Sequence, residues 1–166
     1  MTYRKSVFFL GAVCLLALGA SVPAQAGIGA FAGINIPTGS FDDVANTGYQ
    51  IGANYTFPLL PIVHIGAWGA YNHFGGEGET SFNNWELLAI GKVYLPITGL
   101  HGLIGLGFAN SGGKDNTGES FDRETDFAYA LGGGWDMTLL TFALTFHQVG
   151  SETTSNWFTL SAGVNF

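Results

Sequence analysis

Along most of the chain apolar residues recur at every second position, the period that sends alternate side chains to opposite faces of a β-strand. The pattern is sharpest over residues 157–166, where Phe158, Leu160, Ala162, Val164 and Phe166 share one face and Thr159, Ser161, Gly163 and Asn165 the other. Leu140, Phe142, Leu144 and Phe146 alternate in the same way with Thr141, Ala143, Thr145 and His147. Phe127, Tyr129, Leu131 and Trp135 alternate with Asp126, Ala128, Ala130, Gly132 and Gly134, and Ile104, Leu106 and Phe108 with Gly105, Gly107 and Ala109. Near the start, Tyr49, Ile51, Ala53, Tyr55 and Phe57 stand against Gln50, Gly52, Asn54 and Thr56, and Ile28, Ala30, Ala32, Ile34 and Ile36 against Gly29, Phe31, Gly33 and Asn35. Two more strands fit about 62–74 and 83–95, which makes eight.

The connections alternate in length. Residues 58–61, 96–99 and 136–139 read as short turns, whereas 37–46, 75–82, 110–125 and 149–155 are longer and hold most of the acidic residues. Turns at one end and loops at the other describe an antiparallel up-and-down barrel, and in outer-membrane barrels the short turns are periplasmic and the long loops extracellular. Aromatic residues bracket the strands, with Tyr49, Tyr71, Trp85 and Trp157 towards the loops and Phe57, Trp135 and Phe166 towards the turns, the placement expected of two interfacial girdles.

The first 26 residues change the picture by adding a compartment. Arg4 and Lys5 precede an apolar run over 7–20, and Ala24-Gln25-Ala26 forms a small-residue cleavage site. This is the pattern of a secretory signal peptide, and its run is shorter than the ~18 residues of a membrane-spanning helix. Cys14 lies within it and lacks a lipoprotein's preceding leucine. Domain organisation is therefore a cleaved segment, 1–26, and one barrel domain, 27–166. Cleavage leaves 140 residues with no cysteine, and three basic residues, Lys92, Lys114 and Arg123, against 12 acidic ones. Nucleic acid is excluded as a partner by that balance.

Volume decides which face is outside. Eight strands enclose an interior just wide enough for side chains. The face rich in Gly, Ala, Ser, Thr and Asn fits that interior, and the face rich in Phe, Tyr, Trp, Leu and Ile faces lipid. Phe31, Trp68, Leu88, Ile90, Tyr94 and Leu103 then enter the lumen from the first and the third to fifth strands, opposite small residues of the last three. The expectation is a plugged barrel.

With the signal peptide, eight alternating strands and a terminal strand ending in Phe166, the mature chain resembles the small eight-stranded outer-membrane β-barrel proteins of the OmpA-like type. The resemblance implies a porin-like transmembrane barrel in a Gram-negative outer membrane. It also implies that Phe158, Leu160, Ala162, Val164 and Phe166 form an insertion signal for the barrel-assembly machinery, with outer-membrane lipid as the surrounding partner. Members of this family include anchors, adhesins, narrow channels and enzymes, so function must come from particular residues.

Candidate chemistry lies in the lumen. Glu86 and Lys92 share the inward parity of the fourth strand, and Asp126 and Asp136 that of the sixth. His64 and His101 point inward near the periplasmic end and His147 near the outer end. A mutually paired polar network is expected, because a lone interior charge is costly. Lys92 with Asp136 would form a gate in a functional version. Six residues at about 3.3 Å each separate Glu86 from Lys92, too far for a direct bond. No cofactor, metal site or catalytic residue is expected: the histidines lack ligand-like spacing. The His-x-Ser of outer-membrane lipid A deacylases is also broken, since Val149 follows His147 at that spacing and Ser151 and Glu152 lie beyond. Asp115-Asn116-Thr117-Gly118-Glu119 is rich in oxygen but lacks the 12-residue calcium-loop pattern. The sequence favours a structural or surface-interaction barrel with an unknown extracellular ligand over a narrow channel or carrier, or a lipid-modifying enzyme.

Overall fold

The computed structural model describes residues 27–96, 98–120, 122–137, 139–150 and 154–166. The expected signal peptide and Ser151 and Glu152 lie outside the described residues. Eight strands run β1 Gly27–Thr38, β2 Gly48–Leu60, β3 Val63–Gly75, β4 Ser81–Tyr94, β5 Leu100–Lys114, β6 Glu124–Asp136, β7 Leu140–Val149 and β8 Ser155–Asn165. Each pairs antiparallel with the next, and β8 returns to β1 through Ala30↔Val164, Ala32↔Ala162 and Ile34↔Leu160. The barrel is closed, so its ladder has no open edge.

The two-residue period sets the two faces. Leu87, Leu131, Leu144 and Leu160 on four different strands are 54–59% exposed, as are many of their outward neighbours, which forms a continuous apolar exterior. Inside, Phe31, Trp68, Leu88, Ile90 and Leu103 are buried together. Phe31 is seated by Gly52, where an added Cβ would stand 2.4 Å from its ring. Large residues thus lie over glycines of the neighbouring strand, as Phe31 does over its pairing partner Gly52 and Leu88 and Ile90 do over Gly105, which is how so narrow a tube is filled.

Tight turns join β2 to β3, β4 to β5 and β6 to β7, with Gly99 at a positive φ of 72° in the second. Of the other four connections, β1–β2 and β5–β6 are clearly longer, at nine residues each, whereas β3–β4 and β7–β8 span five residues like the β4–β5 turn, so the expected alternation of short and long is only partial. Two further expectations need correction. The strand read from Ile104 to Phe108 extends over Leu100–Lys114, because Asn110 to Lys114 pair with Ser81 to Trp85 and carry a β4–β5 ribbon into the loop region. Trp157 is no girdle residue: it is 0% exposed and inside the barrel, on the same parity as Thr159 and Ser161. Tyr49, Tyr71 and Trp85 do form an outward cluster, with ring centroids 6.4 and 4.9 Å apart. At the other end Trp135 donates its indole N–H to Thr98 O at 2.8 Å.

Candidate functional site

The lumen holds two polar layers separated by an apolar one. In the lower layer, near the tight turns, β4 supplies Lys92 and Tyr94, β5 His101, β6 Asp136, β7 Thr141 and β3 His64. Asp136 is the hub. Its Oδ2 accepts from the Tyr94 hydroxyl at 2.6 Å and lies 3.4 Å from Lys92 Nζ, and its Oδ1 accepts from the Thr141 hydroxyl. His101 Nδ1 lies 3.6 Å from the same Oδ2. The rings of His64 and His101 flank Tyr94 at 4.6 and 5.0 Å. Close approach makes this possible, since a Cβ at Gly134 would meet the His101 ring at 2.9 Å. Lys92 and Asp136 therefore meet as the inward parity of both allowed, across β5, which lies between their strands.

The upper layer is a hydrogen-bonded circuit that crosses the barrel. Thr159 Oγ1 donates to Asn35 Oδ1 at 2.7 Å, and Asn35 Nδ2 donates to Asn72 Oδ1 at 2.9 Å. Gln50 Nε2 donates to the same oxygen at 2.8 Å. Asn72 Nδ2 then donates to Asn84 Oδ1 at 2.8 Å and to Glu86 Oε2 at 3.0 Å. Glu86 lies 3.2 Å from His147 Nδ1, and His147 Nε2 is 2.9 Å from Thr145 Oγ1. Five strands are tied by one continuous path from Thr159 to Thr145.

Between the layers Phe31 and Trp68 pack with ring centroids 4.1 Å apart and planes tilted by 32°, beside Leu88, Ile90 and Leu103. Above the upper layer, Trp157 lies parallel to the His147 ring at 5.2 Å and meets Phe74 edge-on at 5.3 Å. Phe41, from a 3-10 turn over Gly39–Phe41, folds inward onto Phe74 and Phe82. His147 and Trp157 mean that the last three strands are not uniformly small inside, which corrects the simple division into a bulky and a small wall.

The sequence placed Glu86, Lys92, Asp136, His64 and His101 inward, and the structure sorts them into different layers. Glu86 and Lys92 do not touch. Asp126, also inward, is partly exposed and makes no hydrogen bond or ion pair among the described residues. The three inward histidines do not converge, since His64 and His101 lie in the lower layer and His147 in the upper. What sequence reasoning missed is the amide and hydroxyl circuit. Its signal was present as Asn35, Asn72 and Asn84, three asparagines on inward parity in strands otherwise lined by apolar or small residues.

Thr145, His147 and Glu86 have the hydroxyl, imidazole and carboxylate order of a nucleophile relay. Thr145 is 1% exposed and the side chains of His147 and Glu86 0%, so no substrate carbonyl reaches the hydroxyl. Outside the barrel, in the β5–β6 loop, the Thr117 hydroxyl donates to Asp115 Oδ1 at 2.7 Å. That bond, opposed by desolvation and aided by the Thr117 and Glu119 amides, holds the carboxyl below the usual aspartate range. The Phe158, Leu160, Ala162 and Val164 side chains face outward on β8, with Phe166 beyond them at the rim.

No family model and no curated relative matches this sequence. Solved structures do match its fold. The N-terminal β-barrel domain of Pseudomonas aeruginosa OprF superposes with a TM-score of 0.58 at 18% identity, covering 85% of this chain and 96% of that one. The Neisserial surface protein A gives 0.56 at 12% identity, over 86% and 96%. The Yersinia pestis outer membrane protein Ail in a phospholipid bilayer nanodisc gives 0.60 at 14%, over 87% and 100%. The chain therefore has the closed eight-stranded fold of the small outer-membrane barrels.

Proposed function

We propose that this chain is an integral outer-membrane barrel with a closed lumen, acting as a structural or surface-interaction protein through its loop end. The observation that carries this reading is the inversion of a soluble protein. Large apolar side chains cover the outside, and Asn, Gln, Thr, Glu, Lys and His lie within the lumen. In water such an exterior would be a continuous aggregation surface, whereas in a bilayer it is solvated by acyl chains and the closed ladder satisfies the backbone. The outward Phe158, Leu160, Ala162 and Val164 on the strand that closes the barrel, followed by Phe166, support export and an insertion signal read by the barrel-assembly machinery.

The Phe31–Trp68 pair, the upper circuit and the aromatic cap of Phe41, Phe74 and Trp157 occupy the lumen one above another, which supports a filled barrel over a narrow channel. Burial of Thr145, His147 and Glu86 supports a non-enzymatic role. The loop end carries Asp42, Asp43, Glu77, Glu79, Asp115 and Glu119, an acidic surface suited to a cationic partner.

Purified protein refolded into lipid vesicles is expected to show heat-modifiable gel mobility and, in planar bilayers, no steady conductance above the bare membrane. Large steady conductance would overturn the closed lumen, and recovery as soluble periplasmic material would overturn the membrane reading. Shortening the four long loops is expected to abolish binding to a cationic surface while leaving the heat-modifiable barrel intact.

A further inference from the structure

Only two cations of the described barrel lie outside its lumen, Lys114 and Arg123, and both stand over the same strip of its outer wall. Arg123 lies flat on the outward side of β5: an added Cβ at Gly112 would meet its Cγ at 2.9 Å. From there its guanidinium donates to Asn83 Oδ1 at 2.7 Å and to Asn110 Oδ1 at 3.0 Å. Neither cation has a carboxylate partner among the described residues. Arginine has five N–H donors, so the fork keeps donors free for an oxyanion. Lys114 is on the same outward parity of β5, opposite Ser81. Of the carboxylates closest in sequence, Asp122 precedes Arg123, is exposed and forms no ion pair with it, and the others are directed elsewhere. Glu124 and Asp126 are on the inward parity of β6, and Asp115 accepts bonds from its own loop.

Immediately below the guanidinium the wall turns aromatic and then apolar. Trp85 pairs with Asn110 and Leu87 with Phe108, one two-residue step of roughly 6.6 Å lower. A depression opens there, lined on the outer surface by Ile51, Ala53, Gly69, Tyr71, Leu87 and Phe108. Its floor is bare, since a Cβ at Gly69 would touch nothing within 4 Å. A fork of cations above an aromatic collar and an apolar groove has the polarity of an amphiphile standing in a leaflet, with its charge up and its chain down.

We infer that this strip is a docking site for one anionic membrane lipid, whose phosphate is held by Arg123 and Lys114 and whose acyl chain lies in the groove over Gly69. In a chain with 12 carboxylates after cleavage, diffuse charge repels such a lipid. The site works locally because its two cations are grouped on one face and unpaired. It rests on the membrane reading above and adds a lipid class and a position on the wall.

The test uses full-length mature protein refolded into nanodiscs of equimolar phosphatidylglycerol and phosphatidylcholine with matched chains, released for native mass spectrometry. The wild type is expected to retain phosphatidylglycerol at least about fivefold over phosphatidylcholine, the contribution of a single cation near a membrane surface. K114Q/R123Q is expected to lose that preference, and Gly69→Phe to lower retention of both lipids by a similar factor. Heat-modifiable mobility reports that each variant is folded. Equal retention of the two lipids by wild type, a preference that survives in K114Q/R123Q, or undiminished retention in Gly69→Phe would each overturn the inference. A protein that never enters the nanodisc would instead defeat the membrane reading.

Discussion

The two polar layers of the lumen solve the same problem with different means. The lower layer sits at the rim, where the Asp136 side chain keeps 15% exposure, and it contains a formal cation and a formal anion in contact. The upper layer is sealed between Trp68 below and Trp157 above, its carboxylate and imidazole 0% exposed, and its other members are neutral amides and hydroxyls. At the rim, water supplements whatever partners a charge lacks. In the sealed layer partners have to come from the protein, because a half-satisfied buried network costs more than an apolar core, and the circuit leaves Gln50 Oε1 as its one member atom without a partner among the described residues. This difference explains why Asp136 takes its partners directly, from Tyr94, Lys92 and Thr141, while Glu86 sits on a circuit that reaches six strands.

The sharpest way to break the comparison is to remove one member from each layer. His147→Leu leaves the Glu86 carboxylate without its ring partner in a dry site, and about 3–5 kcal/mol of folding free energy is expected to be lost. Guanidinium unfolding in vesicles, followed by the heat-modifiable gel shift, measures it. Adding Glu86→Gln to that variant removes the stranded charge and is expected to recover most of the loss. Lys92→Met is expected to cost less, about 1–3 kcal/mol, because Asp136 keeps its bonds from Tyr94 and Thr141 and its access to solvent. Equal losses for His147→Leu and Lys92→Met would show that burial does not separate the layers.

The same contrast explains what was legible in the sequence. Strand number, the two faces and the inward placement of Glu86, Lys92 and Asp136 follow from a two-residue period, which is local. The partners do not. Lys92 and Asp136 meet because β4 and β6 flank β5 with a particular register, and the path from Thr159 to Thr145 depends on the closure of β8 on β1. Trp157 was misplaced because tryptophan at a strand end is common at interfaces. Its parity with Thr159 and Ser161 marked it as inward, stacked on His147. The upper part of β5 read as loop because Asn110, Ser111, Gly112 and Gly113 carry no alternation of hydrophobicity. Pairing with β4 orders them, and Gly112 is the surface on which Arg123 lies.

The smallest effect is expected where a charge belongs to neither layer. Asp126 pairs with Ala109 on β5, and Ala109 pairs with Glu86 on β4, so the two carboxylates stand at one level of the lumen with a single strand between them. Strands about 4.8 Å apart put their backbones roughly 10 Å from each other. Glu86 is sealed, while Asp126 is partly exposed and without a partner among the described residues. Their repulsion acts through a partly aqueous path and is modest. Asp126→Asn is therefore expected to stabilise the barrel slightly, by up to about 0.5 kcal/mol in low salt, and the gain is expected to shrink as salt screens the pair. Unfolding measured at two ionic strengths reads both the sign and the screening. A loss of stability comparable to that of Lys92→Met would place Asp126 within the sealed circuit and remove the boundary on which the comparison of layers depends.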